Sequence, residues 1–211
     1  MKREDVSIVA HPLLARELTR LRDRATPPAE FRAALDRAAR ILAVEAFRAL
    51  PLVDRRIETP LEGAAGHALA GRVLLAPILR AGLGMVEAFL ACVPEARVAH
   101  LGIRRDEATL RPVEYYARVP EDLADSFVVL LDPMLATGGS ALAAIRTLQA
   151  AGASRITLAC ILAAPEGVAA VHKAHPEVTI LAAALDRQLD ERGYICPGLG
   201  DAGDRAFGTR R

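Results

Sequence analysis

At 211 residues the chain has the length of one α/β domain, able to bury roughly 70% of its unfolded surface without disulfides. A formal net charge of +1 lacks the basic excess that nucleic-acid binding requires, and three widely spaced cysteines, Cys92, Cys160 and Cys196, exclude a C-x-x-C metal or disulfide framework. The start Met-Lys-Arg-Glu-Asp has no apolar signal region and no apolar run is long enough to span a membrane, so the expectation is a soluble, reduced, cytoplasmic protein whose thiols are small buried apolar groups.

His11 to Asp23 carries Leu13, Leu14, Leu18 and Leu21 behind Pro12, which predicts a short amphipathic helix. Thr26-Pro27-Pro28 opens a longer one, in which Phe31, Ala34, Leu35, Ala38, Ile41 and Leu42 keep a three-four spacing until Leu50 meets Pro51. Residues 1–50 are therefore expected to form an N-terminal helical layer. Arg55 to Thr59 predicts a short strand, and Gly63 to Gly71 a loop or weak helix in which His67 has no assigned role.

Val73 to Leu79 lacks polar alternation and predicts a strand buried on both faces. Arg80 leaves its carboxyl end, where open α/β sheets bind ligands, and Gly82-Leu83-Gly84 turns the chain into a helix from Met85 to Ala91. Glu87 stands where a dinucleotide fingerprint needs its third glycine, so none is expected. Arg97 to Arg105 and Pro112 to Val119, joined by Asp106 to Arg111, predict a β-hairpin arm over residues 97–119 that carries Arg104, Arg105, Tyr115 and Tyr116.

Phe127 to Leu131 is a second buried strand, ending in Asp132. Pro133, Met134, Leu135, Ala136, Thr137, Gly138, Gly139 and Ser140 follow as a turn, and Ala141 to Ala151 is a run of strong helix formers. Glycines at a helix start let successive N–H groups face one concavity at the positive end of the dipole, which suits a phosphate monoester. Asp132 could then accept hydrogen bonds from the two hydroxyls of a ribose whose 5-phosphate sits in the turn. The alternative is a plain N-cap by Thr137 or Ser140.

Ile156 to Leu162 and Val178 to Leu185 predict two further strands, separated by a helix from Pro165 to His175. His172 and His175 lack a third ligand at sensible spacing and are expected to face the helix C-terminal dipole. Tyr194 to Asp204, with three glycines and Pro197, predicts an ordered loop that presents backbone groups. The alternation of strands and helices gives one α/β domain with a Rossmann-like parallel sheet flanked by helices.

Four of these stretches resemble the uracil phosphoribosyltransferases, of the type I phosphoribosyltransferase fold. They are Pro77 to Met85; Gly102 with Arg105-x-Glu107-x-Thr109-Leu110; Asp132 to Ser140; and Gly193-Tyr194-Ile195-x-Pro197-Gly198-Leu199-Gly200-Asp201-Ala202-Gly203-Asp204. Pro133, where most of the superfamily has a second acid, is itself a mark of the uracil enzymes.

The resemblance implies transfer of the phosphoribosyl group of phosphoribosyl diphosphate (PRPP) to uracil, with residues 72–211 as the binding core. It assigns Arg80, Arg105, residues 132–140 and Asp201 to PRPP, and main-chain groups of Ile195 and Gly200 to Ala202 to uracil. Asp132 and Arg105 carry the chemistry, and no general base is named. It further implies Mg²⁺ held mainly by PRPP and water, a homodimer or higher homo-oligomer in which the N-terminal layer packs on the sheet or at the contact, and leaves GTP activation open. Transfer to another base is the first alternative, opposed by Pro133 and the C-terminal motif. A pyrimidine-responsive RNA-binding regulator on the same fold is the second, opposed by the missing acid pair and the neutral charge balance.

Overall fold

Long apolar runs became strands, and the stretches of three-four spacing became helices. The computed structural model describes residues 6–105 and 112–209. The N-terminal part runs β1 (Ser7–Ile8), α1 (Pro12–Arg22), α2 (Pro28–Ala46), β2 (Leu52–Glu58) and β3 (Gly63–Leu69). Then come β4 (Arg72–Leu79), α3 (Leu83–Leu90), β5 (Arg97–Val98), β6 (Leu101–Arg105), β7 (Pro112–Ala117), β8 (Ser126–Leu131), β9 (Met134–Leu135) and α4 (Gly139–Ala150). The chain ends with β10 (Arg155–Ala163), α5 (Pro165–Ala174), β11 (Thr179–Leu185), β12 (Gln188–Leu189), β13 (Ile195–Cys196) and α6 (Ala202–Phe207).

Among the described residues nine strands form the main sheet, in the order β1-β11-β10-β8-β4-β6-β7, with β5 also on β4 and β9 on β10. Its pairings are parallel except β6 with β7. From β4 the chain crosses through α3 to β6 on one side, and from β8 it crosses through α4 to β10 on the other. The order therefore reverses between β4 and β8, and a crevice opens at their carboxyl ends, the usual ligand position of open α/β sheets.

Alternation within the buried strands feeds two cores. Val73, Leu75, Val129, Leu131, Ala159 and Ile161 face one side, against Phe31, Leu35, Leu42, Met85 and Phe89 of α2 and α3. Leu74, Ala76, Val128, Leu130, Leu158 and Cys160 face the other, against Ile145 and Leu148 of α4 and Val168 and Val171 of α5. The N-terminal helices thus share one face of the sheet with α3.

Several expectations are corrected. Gly63 to Leu69 is strand and not loop or helix: it pairs antiparallel with β2 from Leu52↔Leu69 to Glu58↔Gly63, and the partner supplies the backbone hydrogen bonds that alanine and glycine do not favour by themselves. Arg97 to Arg105 is not one strand of an arm. It breaks at 99–100, so that β5 and the start of β6 both run along β4 inside the sheet, and β6 leaves only afterwards to pair with β7. Cys92 is exposed, unlike buried Cys160. The C-terminal loop ends in a helix, α6, which glycines at 200 and 203 concealed. Asp106 to Arg111 lie outside the described residues, and so do the side chains of Arg105 and Pro112.

Candidate active site

The crevice between the ends of β4 and β8 is a cavity of about 640 Å³, lined by Arg80 and Ala81 after β4, Ile103 and Arg104 of β6, Tyr115 of β7, Asp132, Ser140, Asp201 and Gly203. The sequence expectations Arg80, Asp132, Ser140 and Asp201, drawn from three separate motifs, therefore meet on one wall. Arg105 closes β6 beside Arg104, with its side chain outside the described residues.

Asp132 follows directly on β8 and accepts a hydrogen bond from the Met134 N–H at 3.2 Å. Burial pushes its pKa up to about 7 against the pull of that N–H, and the nearby Asp201 carboxylate adds to the rise. Burial also pushes the Cys160 thiol beneath it up, so this cysteine is an inert core group.

The segment after Asp132 is more ordered than a turn. Met134 and Leu135 form β9 against β10, and the Pro133 carbonyl accepts from both Ile161 and Leu162 N–H. Gly138 then takes φ +82°, a conformation glycine adopts at no steric cost, and α4 starts with no side-chain cap. The capping residue is therefore Gly138 and not Thr137 or Ser140, although Thr137 Oγ1 accepts from the Gly139 N–H at 3.5 Å. Beyond that long bond, the first turn of α4 presents its N–H groups at the positive end of the dipole, where an anion is favoured. Gly167 of α5 was not foreseen: a Cβ there would lie 2.3 Å from the Ala136 carbonyl oxygen, so a bare glycine is what lets the turn rest on α5.

The C-terminal loop reaches the same place from the other side. Asp201 caps α6 by accepting the Asp204 N–H at 2.8 Å. Gly200 and Leu199 line a neighbouring recess of about 340 Å³ with Arg22 and Arg24, and Asp201 borders both spaces. Ile195, which pairs with Leu189 of β12, and Ala202, the first residue of α6, bury their side chains in the core, so any ligand contact of theirs is a main-chain one. Two groups absent from the sequence expectations hold this loop. Arg22 makes a two-pronged pair with Asp186 at 2.6 and 2.8 Å, and both bond Gly198, Arg22 to its carbonyl and Asp186 to its N–H. Buried Arg205 donates to the carbonyls of Leu21 and Leu199 and stacks over Phe31 at 4.4 Å.

Among the described residues no group of three or more His, Cys, Asp or Glu side chains is placed to hold a metal ion, and no helix is long and apolar enough to cross a membrane. His175 faces Glu177 at 3.2 Å, and His67 on β3 faces Asp54 at 3.3 Å, and neither lines the cavity.

The family model described as uracil phosphoribosyltransferase matches residues 8–209. A protein of Salinibacter ruber named uracil phosphoribosyltransferase is 53% identical over 207 residues, which cover 98% of this chain and 99% of the relative. One from Halalkalibacterium halodurans with the same name is 52% identical over 206 residues, covering 97% and 99%. Among solved structures, that of the AQ2163 protein from Aquifex aeolicus matches with a TM-score of 0.91 at 36% identity, over 96% of this chain and 97% of that one.

Proposed function

Because the chain belongs to the uracil phosphoribosyltransferase family, which transfers the phosphoribosyl group of PRPP to uracil to give UMP and pyrophosphate, we propose that this reaction runs in the crevice between β4 and β8. The chain is a glycosyltransferase of pyrimidine salvage. The observation that carries the placement is convergence: Arg80, Asp132, Ser140 and Asp201 line one cavity although three distant motifs supply them.

Displacing pyrophosphate from C1 builds positive, oxocarbenium-like character on the ribose and negative charge on the leaving group. The Ala136 to Ser140 turn and the first N–H groups of α4 bind the 5-phosphate, with the Thr137 and Ser140 hydroxyls as further donors. Pro133, Met134 and Leu135, fixed on β10, set the distance from that turn to Asp132, which accepts from the ribose hydroxyls and turns C1 toward the base. Arg80 stabilises the diphosphate, and Arg105, the last residue of β6, shares that role. Uracil, a flat ring of two carbonyls and an N–H donor, is held by main-chain groups of Ile195, Gly200 and Ala202, and Asp201 links the two subsites by touching PRPP.

Mg²⁺ enters with PRPP. Among the described residues Asp132 and Asp201 are the carboxylates of the crevice, a donor set that would suit a hard cation held mainly by PRPP oxygens and water. The chemistry such a cation would supply is neutralisation of the charge on the leaving diphosphate.

The enzyme acts in the cytoplasm as a homodimer, and GTP activation belongs to the same proposal. The β2–β3 ribbon supports the dimer: every residue of β2 is exposed, Leu52, Val53 and Ile57 among them, as is Leu61 at the tip. A two-stranded ribbon is marginal in water by itself, and a second copy of the chain is its natural cover.

The test is to supply PRPP and Mg²⁺ with uracil, cytosine, orotate or hypoxanthine in turn, following pyrophosphate release and the nucleotide formed. UMP from uracil alone is expected. No nucleotide from any base by a folded sample would overturn the reading.

A further inference from the structure

Arg80 is a long side chain, 52% exposed, on the wall of the crevice. An arginine so placed samples many rotamers unless something holds it, and an anion that binds it must then stop that motion. Here something does hold it. Nη2 donates to Asp204 Oδ1 at 2.9 Å, and Nη1 donates to Thr209 Oγ1 at 2.9 Å. Thr209 donates its own hydroxyl to the same Asp204 oxygen at 2.7 Å, which closes a ring of three hydrogen bonds. Asp204 is itself fixed, because its N–H is held by Asp201 in the first turn of α6.

A carboxylate beside Arg80 has two opposed effects on an anionic ligand. It offsets part of the guanidinium charge, which weakens attraction, and it fixes the direction of the fork, which favours a two-pronged grip. The donor count decides between them. A guanidinium carries five N–H donors, and the two bonds above leave three for a ligand, so a diphosphate can be gripped with the ring intact. Neither Asp204 nor Thr209 lines the crevice, although Asp204 borders the neighbouring recess, so what they do for a diphosphate in the crevice passes through Arg80.

We propose that Asp204, assisted by Thr209, is a positioning residue that aims Arg80 at the diphosphate of PRPP. This rests on the assignment of Arg80 to PRPP made above. The test compares the full chain with Arg80→Ala, Asp204→Asn and the double variant, measuring KM for PRPP, KM for uracil, kcat and Tm for each.

Asp204→Asn keeps the shape and removes the charge. It is expected to raise KM for PRPP about tenfold, the usual worth of a charge-assisted hydrogen bond, while KM for uracil and Tm stay close to those of the parent. The double variant should be no worse than Arg80→Ala alone, because the two residues act as one unit. An unchanged or lowered KM for PRPP in Asp204→Asn, or effects that simply multiply in the double variant, would overturn the inference. If Arg80→Ala itself leaves KM for PRPP unchanged, the assignment of Arg80 has failed and the inference falls with it, a result distinct from the other two. Should Asp204→Asn not fold, Thr209→Val serves instead: a smaller rise in KM for PRPP that vanishes in the Arg80→Ala background supports the proposal, and a rise that persists there sinks it.

Discussion

A carboxyl group whose pKa lies near 7 is half charged at the pH where the cell works, and Asp132 is such a group. In the role proposed for Asp132 the ionised form is the better acceptor for two ribose hydroxyls, so the affinity for PRPP is expected to strengthen from pH 6 to 8 with a midpoint near 7. PRPP has its own titrating oxygens, and Asp132→Asn separates the two: the part of the pH profile that disappears in the variant belongs to the protein. The same substitution should lower kcat/KM for PRPP by roughly 10- to 100-fold, the worth of hydrogen bonds to a charged group. Its effect on stability has the opposite sign. With a folded pKa raised from 3.8 to about 7, Asp132 holds its proton in the folded chain after the unfolded chain has lost it, so stability declines between those values and levels off above them. Asp132→Asn should flatten that slope in thermal unfolding measured from pH 4 to 8. A variant with the parent's slope would show that another group causes it.

At the scale of elements, the C-terminal loop depends on a clamp from the opposite end of the chain. Arg22 at the end of α1 and Asp186 just past β11 are 164 residues apart and meet around Gly198. Burial pushes the Asp186 carboxyl up, but the Arg22 guanidinium and the Gly198 N–H outweigh it and hold the group below the usual carboxylate range. A lowered pKa contributes stability that is present above pH 3.8 and is lost as pH falls through the lower folded value. Asp186→Asn should therefore remove part of the acid-unfolding limb below about pH 4, and at neutral pH it leaves a half-buried arginine short of its counter-charge, at a cost of about 3 kcal/mol in urea unfolding. Because the clamp holds the loop assigned to uracil, KM for uracil should rise more than KM for PRPP. Equal rises would mean that the clamp supports the whole crevice and not this loop.

At the scale of the molecule, the question is what covers the β2–β3 ribbon. If a second copy does, then Leu52→Arg together with Ile57→Arg should turn a dimer into a monomer by light scattering, since charges at two of the three exposed large apolar positions of β2 oppose burial. A parent chain that is monomeric at micromolar concentration would end the proposal. Glu17, 1% exposed on α1 and joined by Arg16, Arg20 and Arg37, belongs to the other side of the problem: it ties α1 to α2 within one subunit and should be unaffected by dilution.

Much of this was legible in the chain itself. A buried strand, a single charge and a glycine turn before a helix are local statements, written within fewer residues than one βα unit, so the strand, Asp132 at its end and the glycine turn into α4 could be read before any coordinates. Two uninterrupted apolar runs announced the centre of a parallel sheet, because a strand covered on both faces has no polar face to show. What the chain order could not reveal was contact between distant segments: the pairing that makes a strand of Gly63 to Leu69, the Arg22–Asp186 clamp, the seat of Arg205 among carbonyls from both termini, and the ring that Asp204 and Thr209 close around Arg80. Backbone propensity acts between neighbours along the chain and leaves its mark there. Hydrogen-bond satisfaction and charge pairing act between whichever groups the fold brings together, and only the tertiary structure decides which those are.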